Sequence, residues 1–285
     1  MRSSTRRPTG SDTGSGRGHV TRTGGGQEED AGADVGVNKD DEADGDQDGD
    51  GGADDRTDSQ CARRANRSSR PLVSFVVPAR NEAEYIRGAL SSIEALDTAY
   101  DYEVVVVDGD SSDGTREIAR EYDVTVVSGP ADGIAAARNR GTRCAEGEWL
   151  AFVDADTEVR ASYLTRMLGF VQAEGLAAAS SRCRVTGPLR AKCVEATINY
   201  AFPRLERPVL PGFNTFVHRD AFEAIGGFPP VANEDTAFSR ALARSFPTGY
   251  CPRVLVETSG RRIAASGLTG TLWHYVRLDV GRVFG

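Results

Sequence analysis

The stretch Trp149-Leu-Ala-Phe-Val-Asp-Ala-Asp-Thr157 is an apolar run that ends abruptly in two carboxylates, Asp154 and Asp156. The run predicts a buried strand. Residues two positions apart in a strand point to the same side, so both carboxylates can face one ligand. Open α/β sheets bind ligands at the carboxyl ends of their strands, where carboxylates and phosphate oxygens together suit Mg²⁺. An isolated Asp-x-Asp can also mark a strand that simply ends in a polar turn. The other motifs of the chain have to distinguish this interpretation from a ligand-binding site.

Segments with strand and helix patterns alternate before this stretch. Leu72–Val77, Tyr102–Val107 and Val124–Val127 are apolar, β-branched runs that predict strands. Helical patterns separate them, and Ile134–Cys144 forms the last helix before Trp149. Such alternation is typical of parallel sheets with right-handed crossovers. We therefore predict an α/β fold with a mostly parallel central sheet flanked by helices.

Composition changes near residue 70. The first 70 residues are rich in Gly, Asp and Ser and nearly devoid of aromatic side chains. A segment of this composition buries too little apolar surface to offset the entropy lost on ordering. We predict that residues 1–70 form a disordered, low-complexity acidic tail and that residues 71–285 form one domain.

Charge, cysteine content and hydropathy exclude several classes of protein. The net charge of −8 argues against nucleic-acid binding by bulk charge. The cysteines are odd in number and have no CxxC spacing, so we expect neither a disulfide framework nor a zinc site. No apolar run approaches the length of a membrane span, and the N-terminus has no hydrophobic signal core. These features predict a reducing, cytoplasmic setting.

Polar motifs follow the predicted strands in a fixed order. Pro78-Ala-Arg-Asn-Glu82 ends the first strand, Asp108-Gly-Asp-Ser-Ser-Asp113 the second and Asp154-Ala-Asp156 the fourth. Asn233-Glu-Asp235 comes after the turn Gly226-Gly-Phe228. Each motif alone is weak, because acids are common at helix N-termini for purely structural reasons. Their order and spacing together indicate one site.

With these motifs, the chain resembles the family 2 glycosyltransferases over roughly residues 71–257. The family pattern also contains a helix of the Ala-Arg-Asn type, here Ala137-Arg138-Asn139, and a Gly-Glu pair, here Gly147-Glu148. The resemblance implies the GT-A fold, the Rossmann-like fold of nucleotide-diphospho-sugar transferases. It also implies an inverting transfer of a sugar from a nucleotide-diphosphate sugar to an acceptor hydroxyl.

The resemblance also assigns roles to individual residues. Asp235 would be the catalytic base, with Glu234 beside it, and Asp156 would hold a divalent metal, Mg²⁺ or Mn²⁺. The metal would act as a Lewis acid toward the departing diphosphate. Asp154 would contact the ribose or a metal-bound water. The other residues expected to bind the nucleotide sugar are Pro78, Arg80, Glu82, Asp108, Asp110 and Arg138.

The resemblance divides the domain into a nucleotide-sugar-binding half, residues 71–157, and an acceptor half, residues 158–267. Residues 268–285 predict a closing amphipathic helix, whose apolar stripe we expect to pack on the sheet. The alternative is a helix in the plane of a membrane surface. Many cytoplasmic relatives glycosylate polyprenyl carriers, so the resemblance implies a glycan or lipid-linked acceptor in cell-envelope glycan biosynthesis. It leaves open a peripheral contact with the inner face of the cell membrane.

Several alternatives remain at this stage. A sugar-phosphate nucleotidyltransferase would share the sheet and its acids, but those enzymes usually have a Gly-rich loop where Pro78–Glu82 lacks glycine. A non-catalytic nucleotide-sugar-binding module is supported only by the tail. Gly109 stands where many relatives have an Asp implicated in recognising the nucleotide base, so the identity of the donor's base is not predicted. For Arg80 and Arg138, phosphate binding competes with a solvated helix face. Surface salt bridging is the preferred interpretation for Arg261-Arg262.

Overall fold

The computed structural model describes residues 70–129 and 133–261, which form one eight-stranded sheet packed by helices on both faces. The strands are β1 (Val73–Ala79), β2 (Tyr102–Asp108), β3 (Thr125–Ser128), β4 (Trp149–Val153), β5 (Thr157–Val159), β6 (Ala178–Thr186), β7 (Asn214–His218) and β8 (Thr248–Ser259). The α-helices are α1 (Ile86–Glu94), α2 (Thr115–Ala119), α3 (Ile134–Cys144), α4 (Tyr163–Glu174), α5 (Leu189–Ala196), α6 (Arg219–Ala224) and α7 (Glu234–Ser245). The predicted tail, apart from Arg70, and the predicted closing helix lie outside the described residues.

The sheet has the strand order β3-β2-β1-β4-β7-β6-β8-β5. β1 pairs in parallel with β2 and β4, and β2 pairs in parallel with β3. β7 lies antiparallel between β4 and β6, β8 runs parallel to β6, and β5 is antiparallel to β8. Six of the eight described strands therefore run in one direction. The sheet is mixed in detail, and the expectation of a mostly parallel α/β sheet is confirmed.

Both faces of the central strands are buried, which is why their sequences are almost continuously apolar. All seven residues of β1 are buried. Phe75 and Val77 point into the core beneath α1 and α4, whereas Val76 points into the core beneath α3 and α7. The alternation follows from the two-residue period of a strand. The two cores hold β1 and β4 side by side and fix the ends of both strands at one edge.

Close backbone contact at Gly147 positions the start of β4. A Cβ atom at this residue would lie 2.6 Å from the backbone nitrogen of Ser74 in β1. The N–H of Gly147 donates to Ser74 Oγ at 2.7 Å, and that hydroxyl donates to the buried carboxylate of Glu103 at 2.7 Å. Only glycine allows this approach, so the Gly-Glu pair before the Asp-x-Asp strand has a structural reason.

The second half departs from the sequence-based expectation in several places. The helical spacing of apolar residues alone predicts a helix over Val194–Phe202, whereas α5 begins at Leu189, directly after Pro188. A π-helical turn and a 3₁₀ turn follow α5 and extend to Arg204. No sequence pattern predicts β5, and the pattern of Val254–Glu257 predicts only a short strand where β8 extends over twelve residues. β5 has only three residues, and β8 has a single short apolar run, Val254–Val256, between mostly polar flanks, so the full extent of both strands lacks an apolar pattern.

The described residues also bear on the expectations about disulfides and membrane-spanning helices. Cys144 is disulfide-bonded, although the sequence predicts no disulfide framework, because an odd cysteine count does not exclude a single pair. Cys183, Cys193 and Cys251 are free. Among the helices of residues 70–129 and 133–261, none combines the length and apolar character needed to span a membrane.

Candidate active site

The loops after β1 and β2 are tied together at the carboxyl edge of the sheet. The N–H of Asn81 donates to Ser111 Oγ at 2.9 Å, and Asn81 Oδ1 accepts from the N–H of Ser112 at 3.0 Å. Asn81 and Asp110 both have left-handed backbone conformations, with φ of 54° and 62°. Asn and Asp tolerate this region better than other non-glycine residues, and such conformations often occur at binding sites.

Asp108, the last residue of β2, presents one buried carboxylate oxygen that no other described residue contacts by a hydrogen bond. Its side chain is buried, and Oδ2 accepts from Arg116 Nε at 2.8 Å. Oδ1 has no hydrogen-bond donor among the described residues. A buried acceptor left unpaired is costly, so this atom is suited to receive a hydrogen bond from a ligand. Asp110, by contrast, is exposed at the rim.

A cavity of about 190 Å³ lies between these loops and the Asp-x-Asp motif; we call it the donor cavity. It brings together four of the residues predicted to bind the nucleotide sugar, namely Pro78, Arg80, Glu82 and Asp154. Gly133 and Ile134, at the N-terminus of α3, form another part of its wall. The first turn of α3 has no acidic residue. A helix N-terminus with free N–H groups favours phosphate at such a position.

Arg138 on α3 links the Asp-x-Asp motif to the Glu-Asp motif. Its guanidinium donates from Nη2 to Asp154 Oδ1 and from Nη1 to Glu234 Oε1, both at 2.8 Å. The residue is only 1% exposed, and its guanidinium lies 5.1 Å from the centre of the Phe228 ring. Burial alone would lower the pKa of Arg138, but the two carboxylates outweigh burial and the pKa is raised. The solvated-face alternative is wrong for Arg138, and the side chain bridges two carboxylates.

Asp235 is the second residue of α7 and faces a different cavity from that of Asp154. Its Oδ1 accepts from the N–H of Thr236 at 2.6 Å, and its Oδ2 accepts from the N–H of Gly212 at 3.4 Å. Burial raises the pKa of Asp235 and the charge of Glu234 raises it further, while Arg138 acts in the opposite direction. A raised pKa brings a carboxylate closer to the range in which a general base is effective.

Asp156 and Glu82 share one cation, the guanidinium of Arg261. The chain reaches this position because the N–H of Ser259 donates to the carbonyl oxygen of Asp156 at 3.1 Å. Arg261 then donates to Asp156 Oδ2 at 3.3 Å and to both carboxylate oxygens of Glu82, and it stacks 4.2 Å from the ring centre of Tyr85. The salt bridging predicted for Arg261 is present, but its partners are nearly buried carboxylates that the sequence assigns to the site and not surface groups. Arg262 lies outside the described residues.

The match to a family model decides the family. Residues 74–226, just over half of the chain, match the model described as Glycosyl transferase family 2. The chain belongs to glycosyl transferase family 2. The matched range begins at the second residue of β1, includes β2, β4 and the Asp-x-Asp motif of this family 2 chain, and ends before the Glu-Asp pair on α7.

Curated relatives of this family 2 chain are similar over part of their length. Glycosyltransferase AglE of Haloferax volcanii is 30% identical over 174 residues, which cover 57% of either chain. The putative teichuronic acid biosynthesis glycosyltransferase TuaG of Bacillus subtilis is 33% identical over 109 residues, or 36% of this chain and 42% of that protein. The matches thus span between two fifths and three fifths of these relatives.

Solved structures show the same fold at low sequence identity. TarS 1-349 of S. aureus has a TM-score of 0.56 and 20% identity, and the match covers 66% of this chain and 60% of that one. The mannosyltransferase PcManGT of Pyrobaculum calidifontis, solved with GDP-Man and Mn²⁺, has a TM-score of 0.56 and 23% identity. That match covers 79% of this chain and 70% of the mannosyltransferase. The family 2 chain therefore has the GT-A architecture that its motifs predicted.

The carboxylates at this edge of the sheet have the chemistry to bind a divalent cation together with a diphosphate. Within residues 70–129 and 133–261, no cluster of three or more His, Cys, Asp or Glu side chains is arranged to hold a metal. Mg²⁺ sites of this kind commonly use one or two carboxylates, with waters and substrate phosphates as the remaining ligands. Asp156 and Glu82 already bind one cationic group together. Asp154 forms an ion pair with Arg138 and is therefore less available as a metal ligand.

Sequence reasoning missed two features of this site. The first is the ion pair between Asp108 and Arg116; an arginine in the first turn of the helix after β2 was a readable signal. The second is a cavity of about 510 Å³ beside Asp235. Its walls come from the segment after α5 and from α7, and no local pattern brings these two parts of the chain together.

Proposed function

We propose that the chain transfers a sugar, with inversion, from a nucleotide-diphosphate sugar to an acceptor hydroxyl, with Mg²⁺ or Mn²⁺ as cofactor. The observation that carries this proposal is the bridge made by Arg138. One end of the bridge is Asp154 in the wall of the donor cavity, and the other is Glu234, the neighbour of Asp235. Donor and base therefore lie on two sides of one buried arginine.

The donor half, residues 71–157, supplies the binding groups for the nucleotide sugar. The N-terminus of α3 and Arg80 in the donor cavity face the diphosphate, for which both carry the right charge. The unpaired Oδ1 of Asp108 receives a hydrogen bond from the nucleoside. Pro78, Glu82, Asp110 and Asp154 complete this set.

The acceptor half, residues 158–267, supplies the base. Asp235 takes the proton of the acceptor hydroxyl as its oxygen bonds to the anomeric carbon. The bond between that carbon and the donor phosphate oxygen breaks, and the nucleoside diphosphate leaves with the electron pair. One such displacement inverts the anomeric configuration. Glu234 assists by raising the pKa of Asp235. Arg138 offsets the negative charge of Glu234 through their ion pair.

Asp156, with Glu82 beside it, would hold the divalent cation. When bound, the cation supplies Lewis-acid stabilisation for the charge that develops on the diphosphate. Arg261 occupies the same two carboxylates in the structure, so its guanidinium has to move when a cation binds. It is then available to contact the diphosphate as a second positive charge.

Names of relatives guide the choice of donors and acceptors. TarS was solved with UDP-GlcNAc and PcManGT with GDP-Man and Mn²⁺. TuaG is named for teichuronic acid biosynthesis. We therefore propose a glycan or lipid-linked acceptor in cell-envelope glycan biosynthesis, with a peripheral membrane contact on the cytoplasmic side.

A thermal-shift screen of UDP- and GDP-sugars, with and without Mn²⁺, tests the proposal. A true donor should raise the stability by roughly 3 kcal/mol at a hundred times its dissociation constant. The stabilisation should depend on Mn²⁺ and be lost in Asp156→Ala, while Asp220→Ala, a change at a carboxylate that is 86% exposed on α6, should respond like the wild type. Stabilisation by no nucleotide sugar would refute donor binding. Formation of pyrophosphate from a sugar phosphate and a nucleoside triphosphate would favour a nucleotidyltransferase instead.

A further inference from the structure

The cavity beside Asp235 is mostly apolar, which a site for a free sugar does not require. We call it the acceptor cavity, and its volume of about 510 Å³ lies in the usual range for small-molecule sites. Its apolar lining comes mainly from the segment around and after α5. The principal apolar side chains are Val194, Ile198, Phe202, Leu205, Val209 and Phe213.

The charged groups in the wall of the acceptor cavity cancel. Asp235 and Glu206 carry the negative charges, and Arg207 and Arg240 carry the positive ones. An occupant with a net charge would gain little from such a wall, because attraction to one pair is offset by repulsion from the other. The charge balance therefore favours a neutral occupant.

The same segment also presents apolar side chains to the outside. Leu189 is 86% exposed, Tyr200 is 52% exposed and Leu205 is 48% exposed. Single exposed apolar residues are common, but these three belong to one continuous segment, and Leu205 also lines the acceptor cavity. Leu205 therefore offers an exposed apolar side chain at the edge of the cavity, whereas Leu189 does not line the cavity.

We propose that the acceptor cavity binds the apolar chain of a neutral amphiphilic glycoside, in which that chain is joined to the sugar that carries the reacting hydroxyl. The inference rests on the proposed function, because it takes Asp235 as the base that receives the hydroxyl proton. The sugar lies against Asp235, and the alkyl or prenyl chain lies between the side chains that follow α5. The cavity thereby selects acceptors that have an apolar aglycone close to the site of transfer.

Binding of methyl, butyl and hexyl β-glucosides to the full chain, measured by calorimetry below the micelle concentration, tests this inference. Affinity should rise by about fourfold for each methylene that is fully buried, and by roughly tenfold or more from methyl to butyl. Leu205→Asp should abolish the dependence on chain length, because it places a charge where the chain lies. Leu205→Met should retain the dependence. Leu189→Asp, which adds the same charge to the same segment away from the cavity, should behave like the wild type.

Equal affinity for the three glucosides, or no measurable binding of the hexyl compound, would overturn the inference. An equal loss of the dependence on chain length in Leu205→Asp and Leu189→Asp would also overturn the inference, since surface charge alone would then explain the effect. Release of nucleoside diphosphate from the donor is measured on the same samples. If that release occurs without any dependence on chain length, the acceptor inference fails and the proposed function stands. If the donor is neither bound nor turned over, the proposed function itself fails.

Discussion

Replacement of Arg138 by methionine should be among the most destabilising single changes in the described part of the chain. The guanidinium is 1% exposed and has ion pairs of 2.8 Å to Asp154 and Glu234. Methionine fills much of the volume but leaves both carboxylates without their cation. Removal of one partner from a buried ion pair costs roughly 3–5 kcal/mol. For a domain of this size, that loss lowers the melting temperature by roughly 6–20 °C.

Urea unfolding followed by circular dichroism measures this loss of stability. Arg138→Lys should fall between the wild type and Arg138→Met, because lysine keeps the charge but cannot donate to two carboxylates in a fixed fork. Arg143→Met is the matched control, since Arg143 is exposed on the same helix, and should change stability by about 0.5 kcal/mol or less. A loss of less than about 1 kcal/mol for Arg138→Met would show that the bridge does not hold the two motifs together.

Three further changes have predictable outcomes. Arg261→Ala should raise the affinity of the donor-free chain for Mn²⁺, measured by titration, because it removes the guanidinium that competes for Asp156; unchanged affinity would argue against a shared position. The pKa of Asp235 is raised in the fold, so this carboxyl group destabilises the fold once it ionises, and stability falls as the pH rises through that pKa. Asp235→Asn should therefore stabilise the chain near about pH 8 but not near about pH 3. Equal effects at both pH values in urea unfolding would contradict this. Gly147→Ala should cost roughly 1–3 kcal/mol, whereas Gly169→Ala, in open space on α4, should be neutral or stabilise by up to about 1 kcal/mol in thermal unfolding; equal effects would contradict the close contact at Gly147.

The first half of the fold was predictable because its signals are local. The bounds predicted for Ile134–Cys144 agree with α3, and the apolar run from Trp149 to Val153 agrees with β4. Strands buried on both faces read as continuous apolar runs, and polar residues mark where each one ends. Those strand ends also hold four residues that the sequence predicts to bind the donor, and the structure brings these four together in one cavity.

The pairings inside the site were not predictable, since they join residues far apart in the chain. Arg138 and Glu234 are 96 positions apart, and Arg261 and Glu82 are 179 positions apart. An arginine that binds a phosphate and an arginine that bridges two carboxylates have the same local sequence context. The acceptor cavity escaped prediction for a related reason, because its shape depends on turns after α5 that interrupt the helical pattern.

The central claim is that the nucleotide sugar is cleaved between the sugar and the diphosphate while the base acts on an acceptor. Phosphorus and proton NMR of the full chain with its best-stabilising donor, Mn²⁺ and hexyl glucoside tests this claim most directly. We predict that nucleoside diphosphate accumulates, that the transferred sugar has the inverted anomeric configuration, and that Asp235→Asn loses transfer while it still binds the donor. Retention of configuration, release of pyrophosphate, or full transfer by Asp235→Asn would contradict the account.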